Sequence, residues 1–582
     1  MPLPFLKWMS WAVAPSDPIP PTPPCTPLVD STFILLKAQK NKNTMDTTRL
    51  KGLVRRPSGE DDVTVYDLPD SLLLEIFSFL EVKDVLGVTG CCRWWREIGR
   101  DECLWRNLAY RAWGDDCNKA PFVGTWLEEY RRLYCHSPVV LSEELAEHTD
   151  EIFHVAFSHD GKLFTTTGKD GNVKVWEIGC PTKLKYSYNL KEESGWNYTR
   201  YSAFNQNDTN LLVSGLRFHC GWVAWFSMTD GFTLTWTDVM TPQGIRGAWL
   251  SNHHLLYGAQ SDTAEAVSLC VEGEDFNGRH TEEGEPREIQ EINFDVEIRI
   301  QFLNVVRRKH MVKNDLNNES YTTRNQFNSN DVHRNLNHVN NEHIFTNNSC
   351  GYLLVFATGY CDALNQIGIK FVSKNKLKST LRNGNNHHRN GVINERRRPS
   401  IKRKQNAHCD HLIDLHGQIL GVRVSVNSRY LVVNMRGWLE EPDGSDPYER
   451  PGLSKNMEVR LIDLLTLRVQ PIVYTGHKAV TDSDSFCFCF GDANKDFVVC
   501  GSESNQVYLW DRHSGALLSK LDHLMAGVSA AAINPVDQEF VVSVGDDQIV
   551  KVWRSRVKHK QFKKEKAVVI YNPSDADYNT RL

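Results

Sequence analysis

The chain has 582 residues, 41% of them apolar and 24% charged, with a net charge of -5. That length allows two to four domains with ordinary cores. So small a charge excludes a whole-molecule field that draws in nucleic acid or an anionic membrane surface.

Residues 1–60 carry a Pro-rich run, PSDPIPPTPPCTP from Pro15, followed by a Lys/Asn-rich stretch. Such a segment cannot bury enough surface to offset its ordering entropy, so a disordered extension is expected, with Met45 as an alternative start. The opening MPLPFLKWMSWAVAP is interrupted by Lys7 and bounded by prolines, too short for a membrane span and poorly shaped as a secretory leader. Without a leader, the 15 cysteines read as reduced thiols of an intracellular protein, cytoplasmic and nuclear sites both being compatible with its basic runs.

From Tyr66 to about Tyr134 the period is helical. Pro69 before Asp70 and Ser71 marks a helix entrance, after which Leu72, Leu73, Ile76, Phe77 and Leu80 fall on one face. Asp84 is the expected N-cap of a second helix bearing Val85, Leu86 and Val88. Trp94, Trp95 and Ile98 belong to a third, and Leu104 and Trp105 to a fourth. Helices this short must bury their stripes against one another. The module is placed at 62–110, with a helical linker at 111–138.

From about Val139 the period becomes that of strands, and the expected propeller domain covers 139–572, with a tail at 573–582. Three segments repeat one plan: His148 to KDGNVKVW ending at Trp176, His477 to VYLWD at Trp510, and His523 to GDDQIVKVW at Trp553. Trp510 and Trp553 are 43 residues apart, within the roughly 40–45 residue period of WD-repeat blades. Weaker copies begin at Arg200, Gly247 and His416, and GYLLVFATG and QIGIKFV add strands. These give about seven blades, with six and eight also compatible. The surplus length falls in Asn-rich insertions near 312–349 and 373–406, expected to be solvated loops.

The helical stretch, LPDSLLLEIFSFLEVKDVL followed by CCRWWREIGRDECLWR, resembles an F-box, and the later repeats resemble WD repeats. Together they resemble the F-box/WD-repeat family, and WNYTRYSAFN, NQIGIK, IDLHGQILG and WDRH match one branch of it. The resemblance implies an α plus all-β chain, a helical F-box followed by a WD40 β-propeller. It implies a non-catalytic adaptor without cofactor or metal: the substrate-recognition subunit of a Skp1–cullin-1–F-box ubiquitin ligase that recruits target proteins through the propeller. Leu68, Pro69, Ile76, Leu80, Val85, Val88 and Trp95 would then serve Skp1 binding, Trp95 and Trp105 also holding the helices together. The alternatives are a receptor for a cullin-4–DDB1 ligase, touched through Trp510, Asp511, Arg512 and Arg556, and a non-degradative scaffold. No nucleic acid or membrane partner is implied.

In this family a His, a Ser or Thr, a turn Asp and a Trp form a buried hydrogen-bonded set. His148, Asp170 and Trp176 match it, as do His523, Ser543, Asp547 and Trp553. The middle repeat, with His477 and Trp510, has Ser504 where the Asp is expected. These are structural residues, not catalytic ones. Arg200, Arg246, Arg423 and Arg436 are expected at or near the propeller rim as readers of acidic or phosphorylated segments. RRRPSIKRK from Arg396 and the Lys-rich stretch from Arg556 to Lys566 are candidate import signals, and Ser58 and Ser400, each in Arg-Arg-Pro-Ser, are candidate phosphosites. His408, Cys409, His411 and His416 cluster without the spacing of a zinc site. Cys487 and Cys489 in FCFCF read as core filler on one strand face.

Overall fold

The computed structural model describes residues 69–114, 121–122, 124–229, 231–240, 246–259, 266–273, 290–295, 301–307, 351–359, 364–373, 409–425, 427–439, 452–481, 487–524 and 527–571. Leu68, Ser58, Ser400, His408, residues 312–349 and 374–406, and residues 1–60 lie outside them. The chain divides into two compact units, residues 1–76 and 77–582. Of the first, the described part is the opening of helix α1, whose first turn is closed by the amides of Leu72 and Leu73 donating to the Pro69 carbonyl.

Helices α1 (Asp70–Phe79), α2 (Val82–Val88), α3 (Arg93–Ile98), α4 (Glu102–Trp113) and α5 (Trp126–His136) follow one another. Their ends are set by side chains. Asp101 caps α4 by accepting from the amides of Cys103 and Leu104, and Thr125 and Glu128 form a reciprocal capping box on α5. Arg111 donates to the carbonyls of Ser78 and Leu80, both at 2.7 Å, and so satisfies the end of α1. The second helix starts one residue after Glu81, which places Asp84 in its first turn rather than at its cap. There the carboxylate still complements the positive end of the helix dipole. Phe77 meets Trp95 edge-on at 6.1 Å, and the Trp105 indole donates to the Gly99 carbonyl at 2.7 Å.

The rest of the described chain forms seven four-stranded antiparallel sheets. Blade I spans 152–189, II 198–240, III 248–295, IV 301–414, V 417–478 and VI 491–522. Blade VII combines the strands of 530–554 with Val140–Leu145, the first strand of the domain. The first strand of each sheet neighbours the first strand of the next around a closed ring, so the fold is a propeller whose last blade is closed by its first strand. The second strands of blades IV, VI and VII, GYLLVFAT, FVVC and FVVSV, read as apolar runs because both faces are covered by adjoining blades. A short helix, α6 (Leu190–Ser194), links blades I and II.

The chain's last described element is helix α7 (Arg556–Tyr571), which the propeller range of 139–572 did not anticipate. It leans on blade VII and on α5, with Phe562 buried beneath the Arg554 guanidinium at 4.1 Å.

Candidate functional site

Three places carry chemistry beyond packing: the outer face of the helical module, the propeller face that receives α5, and the mouth of the central channel.

On α1, Leu73 and Phe77 are buried, whereas Leu72, Ile76 and Phe79 are 45%, 38% and 77% exposed. A residue every three or four positions thus leaves an apolar stripe facing water. Leu80 and Val88 are half-buried, Pro69 is exposed, and Leu86 on α2 is largely exposed. Two expected contact residues need correction. Val85 is fully buried, and Trp95 is 6% exposed against Phe77, so both serve the module's interior and offer no surface to a partner. A stripe on a helix wheel does not say which of its members face inward. Phe79 and Leu86 went unnamed in the sequence although the same wheel contains them.

Helix α5 sits on the propeller face made by loops joining first to second and third to fourth strands. Arg132 donates to Asp511 Oδ1 and pairs with Glu129, each at 2.6 Å, and lies 3.9 Å from Asp496. Asp511 is only 1% exposed, and its second oxygen accepts from the amide and hydroxyl of Ser514. Phe122 stacks on His513 at 3.5 Å, His136 meets Glu539 at 2.8 Å, and Arg556 lies over the Tyr134 ring at 4.0 Å while donating to its carbonyl. Trp510 is fully buried, and Arg512 donates to the Lys495 carbonyl and covers Tyr430. Of the four residues considered for an outside partner, Trp510 and Asp511 are buried, while Arg512 and Arg556 are part-buried. This chain's own helix, and the propeller core, already engage them.

The buried histidine sets are complete in two blades. His148 bonds Asp170 at 2.8 Å and Thr166 at 2.7 Å, and the Trp176 indole donates to the same Thr166 hydroxyl at 2.9 Å. His523, Asp547, Ser543 and Trp553 repeat the pattern at 2.7–2.8 Å. Burial alone would raise the Asp170 carboxyl, but the His148 hydrogen bond and charge and the Asn172 contacts hold it at about 2. Thr166 was missed in the sequence although it stands ten residues before its tryptophan, as Ser543 does. In blade VI that position is Cys500 and the turn position is Ser504, so the set cannot form. His477 turns instead to Asn434 of blade V at 3.0 Å, the Trp510 indole donates to the Thr475 carbonyl, and burial pushes His477 down to about 3.

The arginines expected on the rim are mostly inside. Arg436 is fully buried, donating to the Ser454 carbonyl and the Thr481 hydroxyl beside Glu503. Arg423 reaches the Val155 carbonyl and stands 3.7 Å from Asp492. Arg246 is 6% exposed and lies over Tyr201, Phe302 and Phe490 at 4.8, 4.6 and 4.3 Å. Arg200 lies over Phe488 at 4.7 Å. Aromatic faces accept a cation that no carboxylate among the described residues holds, and no sequence rule signals that arrangement. Of the paired cysteines, Cys489 is buried but Cys487 is exposed, because residues 487–489 form the approach to a strand and not the strand itself.

Among the described residues no group of three or more His, Cys, Asp and Glu could hold a metal ion, and no helix is long and apolar enough to cross a membrane. The F-box-like family model matches residues 65–111, and the WD domain, G-beta repeat model matches 140–177. F-box/WD repeat-containing protein 5 of Rattus norvegicus is 30% identical over 84% of this chain and 94% of its own length. The chain belongs to the F-box/WD repeat-containing protein 5 family. The Mus musculus and Homo sapiens proteins of that name are 29% and 28% identical over the same share of this chain and 93% and 94% of theirs. F-box/LRR-repeat protein 12 of Bos taurus is 47% identical over only 8% of the chain. Members of this family are in general non-catalytic adaptors, and an F-box implies partnership of the Skp1 and cullin type.

Proposed function

We propose that this chain is the substrate-recognition subunit of a Skp1–cullin-1–F-box ubiquitin ligase, working in the cytoplasm or nucleus and directing target proteins to ubiquitination through its propeller. The reading rests on one observation above others. Within the F-box match, α1 presents Leu72, Ile76 and Phe79 to water on a helix whose inner face is already packed. Covering three such side chains supplies roughly 4–6 kcal/mol before the entropy of association is subtracted, enough for a specific protein contact but useless to an isolated module.

The mechanism is tethering. A conjugating enzyme, held by the cullin, carries ubiquitin as a thioester. A lysine amine of the bound target attacks the thioester carbonyl, forming an amide and releasing the enzyme's thiol. This chain forms no covalent bond. It raises the effective concentration of the lysine near the thioester.

Copurification from cells tests the reading. Skp1 and cullin-1 are expected with the intact chain and are expected to vanish with a Leu68→Ala, Pro69→Ala variant whose propeller stays folded. Recovery of DDB1 and cullin-4 with both chains, and of Skp1 with neither, would overturn it.

A further inference from the structure

Blade VI keeps its seam histidine without the acid that should hold it. In the two complete sets His148 Nδ1 meets Asp170 and His523 Nδ1 meets Asp547, each at 2.8 Å. Each aspartate stands six residues before its tryptophan, and in blade VI that position, six before Trp510, is Ser504. His477 is nevertheless buried, 1% exposed, against Tyr508 and Trp510 at 5.6 and 5.3 Å. Its Nε2 meets Asn434 of blade V, so Nδ1, on the far side of the ring, points away from Asn434. That nitrogen is buried with no hydrogen-bond partner among the described residues. A ring nitrogen so placed costs stability for as long as it stays unpaired.

Ser504 lies in the turn from the second to the third strand of blade VI, on the propeller face opposite α5. It is half-buried, and its neighbour Asn505 is exposed. The Ser504 hydroxyl meets that of Ser502 at 2.8 Å, and Ser502 also donates to the Lys478 carbonyl at 3.3 Å. The turn therefore runs beside the segment that carries His477. Glu503, between the two serines, is engaged elsewhere: it accepts from the amides of Val480 and Thr481 and stands 3.8 Å from Arg436. Neither serine supplies the charge that Asp170 and Asp547 supply in the other blades. A serine can acquire one.

We infer that Ser504 is a phosphorylation site, whose phosphate takes the place of the missing aspartate and accepts a hydrogen bond from His477 Nδ1. In the transfer, the Ser504 hydroxyl loses its proton and its oxygen attacks the γ-phosphorus of a nucleoside triphosphate held by a protein kinase. A new O–P bond forms there, and the bond to the leaving nucleoside diphosphate breaks. The phosphorus lies one bond farther from the backbone than a carboxylate carbon does, which suits a histidine drawn back toward blade V. The added charge of about -1.5 to -2 has a second partner in Lys478, exposed beside the same turn. Because His477 belongs to the last strand of blade V and already holds Asn434, the phosphate ties that blade to the turn of blade VI. The inference stands apart from the adaptor reading and does not depend on it.

The test uses the full chain. Phosphopeptide mass spectrometry of the chain purified from cells under phosphatase inhibition is expected to find phosphate on Ser504. The chain carrying phosphoserine at 504, installed by codon suppression, should melt about 1–2 °C above the unmodified chain. The gain should disappear on phosphatase treatment and be absent in a His477→Phe background. Should His477→Phe not fold, the phosphorus resonance of the modified chain gives the same answer. It should be displaced from that of a free GSESNQV peptide phosphorylated on the same serine, as a phosphate bonded to a buried imidazole requires. Absence of phosphate on Ser504 in cells would overturn the proposal. So would an unchanged or lower melting point, an equal gain with His477→Phe, or a phosphorus resonance that coincides with the free peptide's.

Discussion

Replacing Arg132 by Met removes the cation on which α5 is seated. The side chain donates to Asp511 at 2.6 Å, and that carboxylate is 1% exposed. Breaking a buried pair by deleting one partner costs about 3–5 kcal/mol, because the remaining charge stays desolvated. Here Asp511 keeps the amide and hydroxyl of Ser514, and Arg132 itself is 13% exposed, which argues for the lower end, about 3 kcal/mol. Asp511→Asn on the Arg132→Met background removes the stranded charge, so part of that loss, at least ~1 kcal/mol, should return. The assay is a double-mutant cycle in urea, followed by tryptophan fluorescence, since Trp113 packs on Tyr130 beside the seat and Trp510 directly precedes Asp511. If the two single effects simply add, or if Arg132→Met shifts stability by less than about 0.5 kcal/mol, the seat is not an interacting pair and the account of α5 fails.

Thr166→Ala and Ser543→Ala each leave a buried histidine and an indole N–H without their shared hydroxyl, and each should cost about 1–3 kcal/mol in thermal unfolding. Cys500→Ser, where no such set exists, should not stabilise blade VI by a comparable amount. The Asp170 carboxyl sits at about 2 when folded against 3.8 otherwise, so its folded-state pKa is depressed. It therefore contributes about 2 kcal/mol above pH 4, which is lost as pH falls toward 2, and Asp170→Asn should flatten that part of an acid-unfolding curve. Val85→Asp should unfold the helical module, visible as lost helical circular dichroism, because a charge replaces a fully buried side chain.

Much of this was legible in the chain itself. Leu-Pro followed by a 3.6-residue stripe placed α1, and tryptophans 43 residues apart placed blades VI and VII, because burial of periodic apolar faces leaves a local signature. Partnering between distant segments leaves none. Val85 looked like a docking residue because periodicity assigns a face but not what covers it. Arg246 and Arg436 looked like rim residues because charge usually means solvent, yet one is held by phenyl rings and the other by the hydroxyl of Thr481 and the carbonyl of Ser454. The Trp-Asp-Arg run of blade VI looked available because nothing in its own sequence announces Arg132, almost 380 residues earlier. The thiol of Cys500, by contrast, sits in plain view at the position where the other two full blades carry a hydroxyl, and it accounts for the altered partners of His477.

Direct titration of Skp1 onto the purified chain, beside an Ile76→Glu, Phe79→Glu variant, tests the central claim. Both positions are exposed, so the variant should keep its helical content and melting point while losing Skp1 affinity by at least about a hundredfold, as two desolvated charges in an apolar contact require. Undiminished Skp1 binding by the folded variant would contradict the account, and would move the docking surface off the exposed stripe of α1.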